Sequence, residues 1–349
     1  MDHRVFITGG AGFIGSNFIR YLRRTTSDIG ILNFDKLTYA GNLKNLEGES
    51  SPKHYTFVRG DICDKNEVST QFREFRPDIV INFAAESHVD RSILDASEFL
   101  RTNVIGVQVL LDAAMKFGAS KFIQISTDEV YGSLGSEGLF SESSPLNPRS
   151  PYSASKASAD LLTLAYASTY GFPVNITRST NNYGPYQFPE KLIPLTILHC
   201  LQKKKIPVYG DGLNVRDWIF VDDHCSAIEA VIERGRAGEV YNIGAHNEMT
   251  NISVVRSIIR SVSALRPELD ISDGLISFVE DRPGHDRRYA IDSSKIRRDL
   301  GWRPGVSFAD GLDRTIRWYI DNPGWVSSLL NQEYRTYYDQ NYGPKIRLR

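Results

Sequence analysis

Val5-Phe6-Ile7-Thr8-Gly9-Gly10-Ala11-Gly12-Phe13-Ile14-Gly15 is the stretch on which the fold turns. A short apolar run, Val5–Thr8, passes straight into glycines at 9, 12 and 15, and an amphipathic pattern spanning Gly12–Arg24 begins among them. That is a strand, a tight turn and a helix in immediate succession. Glycines so placed also arise for packing reasons, so the context decides. Further apolar or β-branched runs follow at Ile29–Phe34, Thr56–Val58, Ile79–Phe83 and Lys121–Ser126, with helical patterns such as Asn103–Phe117 between them. A sixth run, Pro173–Thr177, comes after a helical segment from Tyr152 to Tyr170. This alternation implies βαβ units and a buried parallel sheet: an α/β protein with a Rossmann-type, doubly wound sheet.

Beyond Arg178 the rhythm changes to Asn, Gly and Pro turns around a helix near Lys191–Gln202, and later to the Arg-rich stretch Glu280–Tyr289. These segments read as a smaller, mostly C-terminal substrate-binding lobe. Val215–Phe220 and Glu239–Ile243 read as strands rejoining the first domain. The expected division is a dinucleotide-binding domain over 1–178, rejoined by about 213–244, a lobe over 179–212 and 245–325, and a tail over 326–349. Lys203–Lys205 reads as a solvated helix end.

The chain has 349 residues, enough for one large domain carrying a smaller lobe. Forty-one basic residues against forty-two acidic ones draw it to neither nucleic acid nor an anionic membrane. Cys63, Cys200 and Cys225 are odd in number and widely spaced, which argues against disulfides or a thiolate metal site and fits a reducing cytoplasm. Met1 to Phe6 runs directly into the first strand, with no leader pattern and no membrane span, so a soluble, unprocessed protein is expected.

Gly9, Gly12 and Gly15 let a pyrophosphate approach bare backbone at a helix N-terminus. The second strand ends at Asp35, twenty residues after Gly15. Its carboxylate can accept hydrogen bonds from ribose hydroxyls and would repel a 2′-phosphate, so NAD is expected over NADP. Asp61, after the third strand, suits either an adenine contact or a turn cap.

Tyr152 and Lys156 lie four apart on one helix face. An ammonium beside the phenol, helped by a nicotinamide ribose hydroxyl, would lower the tyrosine pKa enough for it to take a proton from a substrate alcohol. The fifth strand ends in Ser126-Thr127-Asp128-Glu129, where open α/β sheets bind ligands. Two adjacent carboxyl groups there can act as acid and base if their surroundings separate their pKa values.

On these residues the chain resembles the extended short-chain dehydrogenase/reductases, the NAD-dependent epimerase/dehydratase family. The resemblance runs from about Arg4 to about Trp318 and rests on Thr8–Gly15, Asn82–Asp90, Ser126–Gly132, Tyr152–Lys156, Asn181–Pro185, Arg216–Trp218 and Arg282–Tyr289. Within the family, Asp128 followed by Glu129 is similar to the branch that dehydrates dTDP-glucose. Epimerases carry small hydroxyl or alanine residues at Asp128, and decarboxylases and GDP-mannose dehydratases tend to have Ser there.

The resemblance implies a hydro-lyase that makes a dTDP-4-keto-6-deoxy-glucose and water with bound NAD. Tyr152 deprotonates the C4 hydroxyl as NAD takes the hydride, with Lys156 beside it and Thr127 holding the C4 oxygen. Glu129 then removes the C5 proton while Asp128 protonates the departing C6 hydroxyl, and the hydride returns to C6. It also implies cofactor contacts, beyond Gly9, Gly12, Gly15, Tyr152 and Lys156, from Phe13, Ile14, Asp35, Lys36, Leu37, Thr38, Asp61, Ile62, Ala84, Ala85, Ser87, Thr102 and Asn182. For the sugar nucleotide it implies His88, Asn181, Lys191, Leu192, Pro207, Tyr209, Arg216, Asn251, Arg282 and His285, with Arg216 and Lys191 suited to the diphosphate. No metal is implied.

The resemblance further suggests a homodimer built on Asn103–Phe117 and Tyr152–Tyr170, although their periodicity fits burial within one chain equally well. Val326–Arg349 and the Ser50–Lys53 loop match no family segment. The alternatives are another sugar-nucleotide epimerase or decarboxylase, against which Asp128 argues, and a non-catalytic NAD-binding scaffold, against which the joint presence of Tyr152, Lys156, Asp128 and Glu129 argues. The choice between dTDP and UDP stays open, since they differ by one methyl and one hydroxyl.

Overall fold

The computed structural model describes residues 3–26, 29–48 and 54–329. The Ser50–Lys53 loop and the tail beyond Leu329 lie outside these residues. Strands β1 (His3–Thr8), β2 (Ile29–Asp35), β3 (Tyr55–Arg59), β4 (Ile79–Asn82), β5 (Lys121–Thr127) and β6 (Val174–Ser179) come first along the chain. They are followed by β7 (Asn181–Tyr183), β8 (Ile206–Tyr209), β9 (Val215–Phe220), β10 (Val240–Ile243), β11 (Glu248–Thr250) and β12 (Ile276–Val279).

Seven of these form one sheet in the order β10-β6-β5-β4-β1-β2-β3, and every pairing in it is parallel. Period-two alternation explains its two covered faces. Val5 and Ile7 of β1 point to the side covered by helices Phe13–Thr25 and Val221–Arg234, which supply Phe18, Leu22, Ile228 and Val231. Phe6, between them, points to the opposite side with Leu32, Val80 and Phe122. There Phe72, Leu110 and Ala159 of helices Lys65–Phe75, Val107–Lys116 and Pro151–Tyr170 cover it.

The sheet order reverses at β1: the chain builds outward to β2 and β3, then crosses back to lay β4 on the other side. The connections therefore part above the C-terminal ends of β1 and β4, which opens a crevice there. All the chemistry-bearing segments of the first half end at this crevice.

The strand Val240–Ile243 joins the large sheet at the edge beside β6, as expected from the sequence. Val215–Phe220 does not. It lies at the centre of a separate three-stranded sheet, parallel to Asn181–Tyr183 and antiparallel to Glu248–Thr250. The edge next to β6 is already taken by β10, and the chain leaving β6 turns at Thr180 to offer β7 as the new partner. Trp218 and Phe220 accordingly pack with Ile252, Ile259, Leu312 and Ile316 in a core of the lobe's own. A two-stranded parallel pair, β8 with β12, completes that lobe.

Candidate active site

One cleft of about 320 Å³ runs along the crevice. At one end is the glycine turn. Gly9 adopts φ +67, and a Cβ there would stand 2.5 Å from the backbone nitrogen of Ala84; one on Gly15 would stand 2.3 Å from the Gly9 carbonyl oxygen. Both positions are closed to a side chain. Helix Phe13–Thr25 starts at Gly12 with no side chain capping it and no acidic residue in its first turn. Its first amides thus face the cleft as anion donors, and a Cβ on Gly12 would crowd the Gly9 carbonyl at 3.3 Å. A pyrophosphate fits this cradle.

Asp35 lines the cleft and also ties it together, its Oδ2 accepting from Ala11 N–H at 2.9 Å and its Oδ1 from Leu37 N–H at 2.8 Å. Burial raises its pKa, against the pull of those two amides. Asp61 is held below the usual carboxylate range despite its burial, by the Cys63 N–H and by Lys36 Nζ at 2.9 Å. It caps a turn and also lines the cleft.

Phe13, Ile14, Lys36, Thr38, Ile62, Ala84, Ala85, Ser87, Thr102 and Asn182 line the same cleft. Leu37 does not. With φ +55, it faces a neighbouring cavity with Tyr39 and Asn42.

At the other end stand Thr127, Asp128, Glu129, Tyr152 and Lys156, with Asn181 and Lys191. Helix Pro151–Tyr170 is set by a capping box: the Ser150 hydroxyl accepts from Ser153 N–H at 3.1 Å, and Pro151 occupies the first turn. That fixes Tyr152 one residue inside the helix start, where its side chain reaches the end of β5 and hydrogen-bonds Thr127. Thr127 in turn accepts from Glu129 N–H at 3.2 Å and donates to Asp128 Oδ1 at 3.3 Å, holding both acids on one short turn, Asp128–Tyr131.

The two carboxyl groups are driven apart. Burial and the adjacent Glu129 push Asp128 well above the ordinary aspartate value, and its Oδ2 has no hydrogen-bond partner. Burial also raises Glu129, but Arg282, Arg216 and Lys191 all oppose the shift. Both carboxyl groups are thus raised, Asp128 the more strongly; Arg216 opposes the rise of each, while Arg282 and Lys191 are among the leading opposing charges for Glu129 alone.

Tyr152 departs from the sequence expectation. Burial and the charges of Glu129 and Asp128 push its pKa up, with only the Thr127 hydrogen bond opposing them. Lys156 is not among the leading groups that set this shift: its Nζ donates to the Ile125 carbonyl at 2.6 Å, and burial lowers its own pKa to about 8.

The remaining sugar-nucleotide residues do not line this cleft. Arg216 is buried, donating to the Val215 and Asp286 carbonyls at 2.7 and 2.9 Å, with its guanidinium 4.2 Å from the Tyr289 ring centre. Arg282 and Tyr209 reach one acid, Asp90, at 3.0 and 2.9 Å. His285 lies edge-on to Tyr209 and is pushed down to about 4 by burial and Arg282; His88, beside Glu190, is lowered by burial and Lys191. Leu192 opens helix Leu192–Leu201, Asn251 opens helix Asn251–Leu265, and Pro207 sits in β8.

The sequence reading missed several residues. Ser126, Ser179, Thr180, Gln187 and Glu190 line the cleft with no spacing to announce them. Asp160 could have been found: it continues the stripe of Tyr152 and Lys156 by one more turn, and it is the charge that supports the Lys156 ammonium. It is buried and paired with Arg178 Nε at 2.8 Å.

A dinucleotide cradle at the switch point, a Tyr-x-x-x-Lys helix and a split acid pair in one cleft define a short-chain dehydrogenase/reductase that couples alcohol oxidation to proton transfer. Residues 6–315 match the family model described as GDP-mannose 4,6 dehydratase. The chain is 51% identical over 346 residues to dTDP-glucose 4,6-dehydratase of Neisseria meningitidis serogroup B, covering 95% of this chain and 97% of that protein. It resembles the crystal structure of dTDP-glucose 4,6-dehydratase from Bacillus anthracis in complex with NAD, with a TM-score of 0.86, 48% identity, and 94% and 99% of the two chains covered. The Streptomyces venezuelae dTDP-glucose 4,6-dehydratase, solved with NAD and dTDP bound, matches with a TM-score of 0.89 and 49% identity, over 93% and 99%. The chain belongs to the dTDP-glucose 4,6-dehydratase family.

Among the described residues no helix is long and apolar enough to cross a membrane, and no cluster of His, Cys, Asp or Glu could hold a metal ion.

Proposed function

We propose that this protein converts dTDP-glucose to dTDP-4-keto-6-deoxy-glucose and water. The observation that carries this reading is the split pair Asp128 and Glu129 in the same cleft as Tyr152 and Lys156. Oxidation alone needs no second acid. Gly9–Gly15, Asp35 and Ala84–Ala85 would hold NAD, which would supply the reversible hydride chemistry that the reaction needs.

The residues move the protons. Tyr152, hydrogen-bonded to Thr127, takes the proton of the C4 hydroxyl, and Thr127 then holds the carbonyl oxygen. Proton loss is uphill for a phenol raised by two neighbouring acids, so the proton on Asp128 matters here as well: it leaves only Glu129 charged beside Tyr152. The C4 ketone acidifies C5, Glu129 takes that proton, and Asp128 gives its own to the departing C6 hydroxyl; as hydride returns to C6 Glu129 delivers a proton to C5, and the proton held by Tyr152 restores Asp128. Arg216, Arg282 and Lys191 stabilise the anionic form of Glu129 and suit the diphosphate oxygens.

In this reading residues 179–212 and 245–325 form the sugar-nucleotide lobe, with Val215–Phe220 added to it. A homodimer is supported by the exposed apolar residues Leu100, Ile105, Met115 and Leu161 along the two helical runs that pack beside the sheet. Sedimentation at the mass of one chain would remove it. The free thiols of Cys63, Cys200 and Cys225 support a cytoplasmic location.

Purified protein given dTDP-glucose in deuterated water should yield a product with the alkaline absorbance of a 4-keto sugar and deuterium at C5. An epimer, or product without C5 label, would overturn the reading. Parallel reactions with UDP- and GDP-hexoses test the preference for dTDP.

A further inference from the structure

The strongest group outside the proposed chemistry is Asp90, on the short helix Val89–Leu94 of the Rossmann half. Its two carboxylate oxygens are both engaged, and both by the lobe. Oδ1 accepts from Arg282 Nη1 at 3.0 Å, and Oδ2 accepts from the Tyr209 hydroxyl at 2.9 Å. The side chains of Asp90 and Arg282 are only 11% and 21% exposed, so this is an enclosed pair rather than a surface bridge. The three residues come from separate stretches: Tyr209 ends β8, Arg282 lies in the loop after β12, and Asp90 follows β4.

The Arg282 side chain is long and has much rotational freedom to lose when it is held in one place. Arg282 is also the leading cation opposing the pKa rise of Glu129. Where Asp90 holds it therefore sets the position of a ligand-binding charge.

We propose that Asp90 is a positioning residue: it straps Arg282 and Tyr209 to the Rossmann half, so that the sugar nucleotide meets an already ordered lobe. A ligand that must order its own binding groups loses part of its affinity in doing so. The proposal rests on the sugar-nucleotide reading above. Turnover of dTDP-glucose by the unmodified protein tests that reading, and the variants below test Asp90.

The experiment is a double-mutant cycle on the full-length protein, with Asp90→Asn, Arg282→Gln and the combined variant, read as KM and kcat for dTDP-glucose and as NAD affinity. Asp90→Asn keeps the shape and removes the charge. Its KM should rise about tenfold or more, as for a lost charge-assisted hydrogen bond, with kcat changed far less and NAD affinity unchanged. The combined variant should lose clearly less affinity for dTDP-glucose than the two single losses added together, because Asp90 acts largely through Arg282 and only its Tyr209 arm is left to lose. Asp90→Glu, which restores the charge one methylene away, should fall between the native protein and Asp90→Asn. It also keeps the proposal open to test if Asp90→Asn fails to fold. Additive losses in the cycle, a fall in kcat at constant KM, or a KM for Asp90→Glu as poor as that of Asp90→Asn would each overturn the strap.

Discussion

Replacing Asp128 with Asn should separate the two halves of the reaction. The substitution is nearly isosteric, and the Thr127 hydroxyl that donates to Oδ1 at 3.3 Å keeps an acceptor. The other oxygen has no hydrogen-bond partner, so the new amide displaces none. What is lost is the proton that burial and Glu129 keep on Asp128. A positioned general acid contributes about 10²–10⁴-fold, which corresponds to about 3–5 kcal/mol in barrier. Steady-state turnover should fall by that factor, while oxidation at C4 continues, because the new amide is as neutral beside Tyr152 as the protonated carboxyl it replaces. Rapid mixing with dTDP-glucose should then show the near-ultraviolet absorbance of reduced cofactor building up to a far higher level than in the native protein. A turnover within a few-fold of native, or a slow variant in which no reduced cofactor accumulates, would refute the assignment.

The same substitution has a stability signature of definite sign. Asp128 is raised in the folded state, so the fold retains a proton that the unfolded chain gives up as pH climbs past the ordinary aspartate value. The native protein therefore loses stability with rising pH through the window between those two pKa values. Asp128→Asn has no such proton and should gain in Tm over native as the pH is raised through that window. An equal Tm difference at every pH would contradict the raised value.

Lys156 can assist Tyr152 only as an ammonium, and burial brings its pKa down to about 8. The kcat/KM should accordingly decline as pH rises through about 8, and Lys156→Arg, whose guanidinium stays charged, should abolish that decline even at a lower absolute rate; a pH profile of both proteins decides it. Asp35→Ala removes an acceptor shared by the Ala11 and Leu37 amides, each such charged bond being worth about 1.5–3 kcal/mol. Calorimetric titration should show NAD binding weakened by about tenfold or more, and unchanged affinity with a lowered Tm would make Asp35 a loop cap alone.

Whatever depended on neighbours along the chain could be read from the amino acids themselves. The glycines at 9, 12 and 15, the acid closing β2, the Tyr152–Lys156 stripe and the adjacent acids after β5 are local patterns, because a strand repeats every two residues and a helix turn every three to four. The parallel, doubly wound character of the large sheet followed from the alternation of those patterns, while its strand order came only with the structure. Distance along the chain hid the rest. Val215–Phe220 reads as a strand in either sheet, and only the occupied edge beside β6 sends it to the lobe. The sign of the Tyr152 shift likewise depended on folding, since burial and two acids outweigh a lysine that turns to a backbone carbonyl instead. The difference between Asp128 and Glu129 is the clearest case: the two are consecutive in sequence, yet what separates them is cations from Lys191 and Arg282, one of which is itself held by an acid 192 residues away. Charge acts through space in a medium that burial makes poorly screening, so the chemistry of adjacent residues was settled only when distant ones folded around them.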